Sequence, residues 1–180
     1  MRPATQNRLV PGVHASRIGL KVVIREVKSG DDASAFRTLN EEWIVQLFSL
    51  EEKDRQLLGD PENAILRRGG HIFMASHQGE NVGCVALLLL ENGVYELSKM
   101  AVLPRLRNQG IGHQLLAHVI REARLFGAVS LCLATNTKLK NAIHLYEAVG
   151  FLHVPREQLP PLPYTRANVF LALTLRHVPR

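Results

Sequence analysis

The segment that best indicates chemistry is a glycine-bearing loop, Arg107-Asn108-Gln109-Gly110-Ile111-Gly112, between a strand pattern and a helix pattern. A helix that begins here leaves its first backbone N–H groups without an intrahelical acceptor, and its dipole adds partial positive charge. Glycine at 110 and 112 lets a ligand approach the backbone, because no Cβ atom intervenes. The segment therefore predicts an anion site at the N–H groups of residues 109–112. Alone it is a weak signal, since loop glycines also occur where the chain only turns.

Composition and charge limit the classes of protein to which this chain can belong. The 180 residues are 46% hydrophobic and 21% charged, which is typical of a globular protein of one domain. The longest apolar run, 84–90, is far shorter than the ~20 residues that span a bilayer, so we expect no membrane segment. The formal net charge is +6, but three of the arginines fall in the acid-free first 20 residues. Basic residues interleaved with aromatics are not found elsewhere, so we expect no nucleic-acid partner.

The two cysteines give no sign of a metal or a disulfide. Cys84 and Cys132 both lie in apolar strand patterns, as buried free thiols do. We therefore expect a reducing, cytoplasmic location. The chain has neither Cys-x-x-Cys nor His-Glu-x-x-His, and we predict no metal.

Hydrophobic periodicity predicts the strands and helices that must position this loop. Residues 1–20 show no sustained period and are predicted to be a disordered extension, and residues 21–180 to be one domain. In the first part of that domain, the residue pattern predicts a strand at 21–27 and helices at 33–48, after 49 and at 62–68. Ser49 with Glu52 indicates a capping box for the second helix.

Strand patterns dominate the remainder of the chain. Three of them, at 71–76, 82–90 and 94–102, predict an antiparallel meander that leads into the glycine loop. An amphipathic helix at 113–126 then connects to a strand at 130–135, which should lie parallel to 94–102 because a crossover helix joins them. A helix at 140–149 and strands at 151–154 and 167–175 follow. This order predicts one mixed α/β sheet with helices on its faces.

Two segments together resemble one known family. Residues 107–112 look like the acyl-CoA pyrophosphate loop, Q/R-x-x-G-x-G/A, of the GNAT acetyltransferase superfamily. Residues 141–151, Asn-Ala-Ile-His-Leu-Tyr-Glu-Ala-Val-Gly-Phe, resemble its second signature, A-I-x-L-Y-E-x-x-G-F. The resemblance covers about 21–175. It departs at Leu139, where many members have an asparagine that contacts the cofactor, and Asn136 or Asn141 is the expected substitute.

The resemblance implies a fold and a cofactor. The fold is α/β (α+β mixed), with a mixed, mostly antiparallel sheet of about six or seven strands, helices on both faces and a parallel pair at a V-shaped splay. The cofactor is acetyl-CoA. Its pyrophosphate would bind Arg107, Asn108, Gln109, Gly110, Ile111 and Gly112, and its pantetheine arm would lie along the backbone of Met100, Ala101 and Val102.

Acetyl transfer to an amine also needs an acid and a base. By resemblance Tyr146 contacts the cofactor and protonates the coenzyme A sulfur; the alternative is a tyrosine packed in the core. Glu96, a carboxylate among apolar strand neighbours, is the candidate base and would act through water. An equally supported alternative leaves Glu96 at an exposed edge or paired with Lys99. A backbone N–H within 100–102 is the expected oxyanion donor.

The acceptor site should be built from the first two helices and the loop after 151. Glu42, Trp43 and Glu51, with Asp54, would suit a cationic amine, although solvation of these acids at the surface is the favoured interpretation. The leading hypothesis is direct N-acetylation of a small molecule or amino acid in a ternary complex, by a monomer or homodimer. The alternatives are a peptide or protein N-acetyltransferase and a non-catalytic acyl-CoA sensor.

Overall fold

Seven strands form a single sheet in the computed structural model, which describes residues 19–28 and 32–175. Their spatial order is β1-β2-β3-β4-β5-β7-β6, and every neighbouring pair is antiparallel except β4 and β5. The strands are β1 (Val23–Glu26), β2 (His71–His77), β3 (Glu80–Leu89), β4 (Val94–Val102), β5 (Ser130–Thr135), β6 (Leu152–His153) and β7 (Val169–Thr174). This architecture confirms the predicted fold class, including the parallel pair.

Helices cover both faces of this sheet. They are α1 (Ala33–Leu47), α2 (Glu52–Gly59), α3 (Pro61–Ala64), α4 (Ile111–Leu125) and α5 (Lys140–Ala148). β3 contributes to two cores, because Val85 and Leu87 pack on the α4 side while Cys84 and Ala86 pack on the α1 and α2 side. A strand buried on both faces is expected to be a continuous apolar run, as residues 84–90 are. Within the described residues, no helix is both long and apolar enough to cross a membrane.

A bulge interrupts β4 at its centre. Cys84 lies opposite Ala101, and Ala86 lies opposite Ser98, so Val85 faces two residues of β4, Lys99 and Met100. Lys99 adopts a φ of 52°, in the left-handed region that few residues other than glycine enter. A bulge offsets the alternation of side chains along its strand. Accordingly, Leu97 belongs to the core on the α4 side and Ala101 to the core on the α1 side, although both positions are odd.

The parallel pair separates soon after it forms. β4 pairs with β5 only from Val94 to Glu96, opposite Ser130 to Cys132. From Leu133 to Thr135, β5 pairs with β7 alone among the described strands. The second half of β4 and the end of β5 therefore diverge and open a gap at the centre of the sheet.

Several predicted boundaries differ from the structure. The capping box at Ser49 and Glu52 is wrong, because Glu51 is the N-cap of α2 and exchanges hydrogen bonds with Asp54. The predicted helix at 62–68 is two short pieces, since Ile65 leaves the helical region at φ −123° and ends α3. Of the predicted disordered extension 1–20, residues 1–18 lie outside the described residues. Leu20 is ordered against the glycine loop, where its N–H donates to the Gln109 carbonyl at 2.9 Å.

Candidate active site

A cleft of about 710 Å³ occupies the gap between β4 and β5. The second half of β4 forms one wall, and the first turn of α5 with the end of β5 forms the other. The glycine loop and the start of α4 lie at one end, and residues 43–48 with Tyr164 and Arg166 lie at the other. The cleft therefore joins the predicted anion site to the region predicted to hold the acceptor.

The start of α4 has the features of an anion site. Gly110 is the N-cap residue with a φ of 82°, and among the described residues no side chain caps the helix. The N–H groups of Ile111, Gly112 and His113 consequently have no intrahelical acceptor. At Gly112 a Cβ atom would lie 3.0 Å from Leu145 Cδ2, so glycine permits close packing of α4 on α5.

Of the other loop residues, two line the cleft and one contacts the neighbouring backbone. Arg107 and Asn108 line the cleft, and Arg107 Nε donates to the Val102 carbonyl at 3.2 Å. Gln109 does not line the cleft, and its carbonyl accepts the Leu20 N–H. On β4, Met100, Ala101 and Val102 all line the cleft. The bulge leaves the backbone of Lys99 and Met100 outside the regular register with β3.

Tyr146 is a buried residue that lines the cleft. It is 8% exposed, and its ring lies 5.8 Å from the ring of Phe151. The Tyr146 hydroxyl donates to Met100 Sδ at 4.0 Å, a weak contact with a thioether. Burial raises the pKa of Tyr146 to about 12. The phenol is therefore protonated at neutral pH and can donate a proton.

Glu96 lies behind the cleft wall. The residue is 3% exposed and does not line the cleft, whereas Ser98, two residues further along β4, does. Burial raises the pKa of Glu96, although the charges of Lys99 and Lys53 and a hydrogen bond with Ser98 oppose this rise. The alternative that places Glu96 at an exposed edge of the sheet is wrong, because the residue is buried. Lys99 is near Glu96, but its ammonium pairs with another carboxylate.

That carboxylate belongs to Asp54, at the centre of a buried ionic cluster. Lys99 Nζ lies 2.8 Å from Asp54 Oδ1, and Arg166 Nη2 donates to the same atom at 2.9 Å. Lys99 Nζ also donates to the Tyr164 hydroxyl at 3.1 Å, and that hydroxyl is 3.4 Å from Ser98 Oγ. Burial opposes ionisation of Asp54, but the hydrogen bonds and charges of Arg166 and Lys99 outweigh it and hold its pKa below the ordinary value.

Sequence reasoning gave Lys99, Tyr164 and Arg166 no role in a site of their own. Two signals were available: Lys99 is a charge within an apolar strand pattern, and Asp54 shares a helix face with the buried Leu57 and Leu58. Their partners are 45 to 112 residues apart in the chain, so local pattern could not pair them.

The predicted acceptor residues take different places. Trp43 lines the cleft, and its Nε1 donates to Asn40 Oδ1 at 3.4 Å. Glu42 is exposed and does not line the cleft, which agrees with solvation. The Glu51 carboxylate accepts the backbone N–H groups of Thr165 and Arg166 at 2.9 and 3.1 Å. For Glu51 and the fully buried Asp54, the favoured interpretation of a solvated surface acid is therefore wrong.

The two asparagines proposed to replace Leu139 also differ. Asn136 lines the cleft, but its amide donates to the Arg166 carbonyl at 2.6 Å and accepts the Lys138 N–H at 2.9 Å. Asn141 is exposed and lines the cleft at the first turn of α5. Asn141 is thus the more accessible of the two for a ligand.

This geometry defines a class of protein. A central sheet that splits at its parallel pair, beside a helix whose uncapped start faces the split, suits a ligand with an anionic end and an extended arm. The sequence model of the Acetyltransferase (GNAT) family matches residues 34–151. The chain belongs to this family, which confirms the resemblance seen in the sequence.

Curated relatives match parts of the chain. The aminoalkylphosphonate N-acetyltransferase of Salmonella typhimurium is 38% identical over 86 residues, which are 45% of this chain and 56% of that protein. An amino-acid acetyltransferase of Neisseria meningitidis is 36% identical over 144 residues, which are 77% of this chain and 29% of that protein. The chain spans about half the length of the first curated relatives it matches.

Solved structures share the fold over most of the chain. An acetyltransferase of the GNAT family from Staphylococcus aureus superposes with a TM-score of 0.77 at 24% identity, covering 86% of this chain and 100% of that one. The acetyltransferase yncA from Salmonella typhimurium, solved with its cofactor acetyl-CoA, has a TM-score of 0.67 at 20% identity. The match covers 89% of this chain and 97% of that one. At these identities the likeness establishes the fold.

Proposed function

We propose that this chain is an acetyl-CoA-dependent N-acetyltransferase that acetylates the primary amine of a small molecule or amino acid by direct transfer in a ternary complex. The observation that carries the proposal is the cleft itself, which joins the uncapped start of α4 to the Tyr146 hydroxyl across the split sheet. The relatives named for aminoalkylphosphonate and amino-acid acetylation support a small amine as acceptor.

The cleft residues fit the cofactor at its charged end. Backbone N–H groups at 111–113 and the Arg107 guanidinium offer donors and positive charge to a pyrophosphate. Gly110 and Gly112 keep side chains away from these donors. Asn108 and Asn141 supply further polar groups along the cleft. The backbone of Met100, Ala101 and Val102 is the strand edge proposed to bind the pantetheine arm.

Acetyl-CoA, when bound, supplies the thioester carbon at which the acceptor amine forms its new N–C bond as the C–S bond breaks. Glu96 accepts the first proton of the acceptor ammonium, by way of Ser98 or water, and releases it to solvent. Tyr146 donates its proton to the departing thiolate, and the second proton lost by the amine nitrogen reprotonates the Tyr146 phenolate. A backbone N–H at the β4 bulge stabilises the negative charge that develops on the acetyl oxygen.

The proposal is tested by thiol release from acetyl-CoA with a panel of amines, together with calorimetric binding of acetyl-CoA. Gly110→Ala and Gly79→Ala form a matched pair, because both glycines have φ near +80° and neither would place a Cβ within 3.4 Å of a neighbour. Each variant carries a similar backbone strain of about 1 kcal/mol. Only Gly110→Ala should weaken acetyl-CoA binding, by about tenfold. A wild-type protein that neither binds acetyl-CoA nor acetylates any amine would disprove the function, and binding without turnover would identify a sensor.

A further inference from the structure

The charged side chains that line the cleft are all basic in the part of the chain that the structure describes. They are Lys99, Arg107, Lys138, Lys140 and Arg166. Arg107 lies on the glycine loop, next to the site proposed for the cofactor pyrophosphate. Lys99, Lys138 and Arg166 lie towards the opposite end, near Phe48 and Tyr164. Positive charge is therefore present at the acceptor end of the cleft as well as at the cofactor end.

The acids predicted to attract a cationic acceptor are not available to the cleft. Asp54 is fully buried against Lys99 and Arg166. The Glu51 carboxylate is occupied by backbone N–H groups, and Glu96 lies behind Ser98. Glu42 is exposed away from the lining. An acceptor with a second positive charge would thus enter a cleft that offers no countercharge from the described residues.

The acceptor end has a wall of aromatic rings and cations. The Arg166 guanidinium lies 5.7 Å from the ring centroid of Phe48 and 5.3 Å from that of Tyr164. Lys138 Nζ lies 5.3 Å from the same Phe48 ring. Both cations therefore lie close to the same ring.

Lys138 is the cation of this wall that remains available. Lys99 and Arg166 are held by Asp54, with side chains 3% and 16% exposed. Lys138 is exposed, and no carboxylate of the described residues lies within 4.0 Å of its ammonium. Its position on the turn before α5 is fixed by the hydrogen bond from its backbone N–H to Asn136.

We infer that the acceptor is a primary amine that also carries an acidic oxyanion, a carboxylate or a phosphonate, and that this group binds Lys138 beside Phe48. The inference rests on the proposed function and names its substrate class. The Lys138 ammonium can bind such an oxyanion through charge-assisted hydrogen bonds, and Arg166, which stays paired with Asp54, adds to the positive field. The same field repels a polyamine, which has no acid to pair with.

The experiment uses acceptors matched except for charge: L-alanine with L-alaninamide, 2-aminoethylphosphonate with ethanolamine, and spermidine as a polycation. We expect kcat/KM for an acidic acceptor to exceed that of its neutral partner at least about tenfold, with spermidine the poorest. The alanine and phosphonate arms distinguish a carboxylate from a phosphonate. A preference for the neutral amines or for spermidine would overturn the inference and leave the proposed acetyltransferase standing.

Lys138→Glu then tests the binding site. At saturating acetyl-CoA it should raise the ratio of KM for an acidic acceptor to KM for its neutral partner by about tenfold. Arg68→Glu is the matched control, because it reverses an exposed charge that does not line the cleft, and it should change none of these constants. If Lys138→Glu instead raises KM for acetyl-CoA equally with every acceptor, Lys138 serves the cofactor and the inference is wrong. Absence of both acetyl-CoA binding and turnover in the wild type would count against the proposed function itself.

Discussion

Tyr146 combines burial with access to the cleft, as a proton donor to a thiolate requires. Its pKa of about 12 keeps the phenol protonated across the neutral range, and its hydroxyl has only a thioether as a partner among the described residues. A core tyrosine with a purely structural hydroxyl would be expected to have a stronger hydrogen bond. The geometry therefore supports the catalytic interpretation of Tyr146.

Replacing Tyr146 by Phe should lower kcat by about a hundredfold, because the thiolate would leave without a proton. Affinity for acetyl-CoA should stay within about twofold, since the ring and its packing on Phe151 remain. Steady-state kinetics and calorimetry measure the two effects. Tyr95→Phe, at a tyrosine outside the cleft lining, is the control and should keep full activity. Unchanged kcat in Tyr146→Phe would remove this residue from the mechanism.

Glu96 should set an acid limb in the pH profile of the reaction. The carboxylate must be ionised to accept a proton, and burial raises its pKa above 4.5. Activity should therefore fall as pH decreases through this raised pKa. Glu96→Gln should lower kcat/KM by about a hundredfold and abolish that limb. Glu91→Gln, at an exposed glutamate in the turn before β4, should keep the profile; an acid limb that persists in Glu96→Gln would assign the base elsewhere.

At the scale of elements, the β4 bulge and α2 are joined by the Asp54 cluster. Lys99 sits at the bulge with a left-handed φ, and its ammonium reaches Asp54 on α2. Arg166 brings the segment before β7 to the same carboxylate, and Glu51 holds that segment through two backbone N–H groups. The cluster thus fixes the bulge, the acceptor wall and the start of α2 relative to one another.

Asp54→Asn should destabilise the protein by about 3–5 kcal/mol, because Lys99 and Arg166 would remain buried without a countercharge. Urea unfolding at pH 7 measures this difference. Since the partners of Asp54 lower its pKa below the ordinary 3.8, its contribution is complete above that value and is lost as pH falls through the folded-state pKa. The difference in the free energy of unfolding between wild type and variant should therefore decrease at acidic pH. Glu52→Gln, exposed on the same helix, should cost at most about 0.5 kcal/mol; a similarly small cost for Asp54→Asn would contradict this role.

At the scale of the whole molecule, the formal charge of +6 and the basic lining of the cleft act together on an anionic ligand. Arg107 and Lys140 are exposed, so salt screens them. Raising NaCl from about 0.05 to 0.5 M should lower kcat/KM for acetyl-CoA several-fold. S-acetylpantetheine, which lacks the phosphates, is the control and should be insensitive. Equal salt dependence for both thioesters would rule out electrostatic attraction as the cause.

Much of the architecture could be predicted from local sequence patterns. Alternation and helical periodicity located β4, β5 and α4 to within a few residues, because each period reflects which side chains meet the core. The glycine loop was identified from its spacing, since a backbone that opens to a ligand at a helix start requires residues without Cβ atoms. Tyr146 was singled out because residues 141–151 resemble the second family signature.

The tertiary structure alone decided which groups share the site. An offset of one residue between β3 and β4 brings Lys99 to the side of Ser98 and Asp54, and nothing in the alternation of β4 encodes it. Asp54 was predicted to be a solvated surface acid, yet Arg166, 112 residues away, takes part in burying and neutralising it. Local periodicity determined the strand before the glycine loop, and glycine spacing determined the loop itself, whereas strand register and long-range ion pairing determined the charge that faces the acceptor.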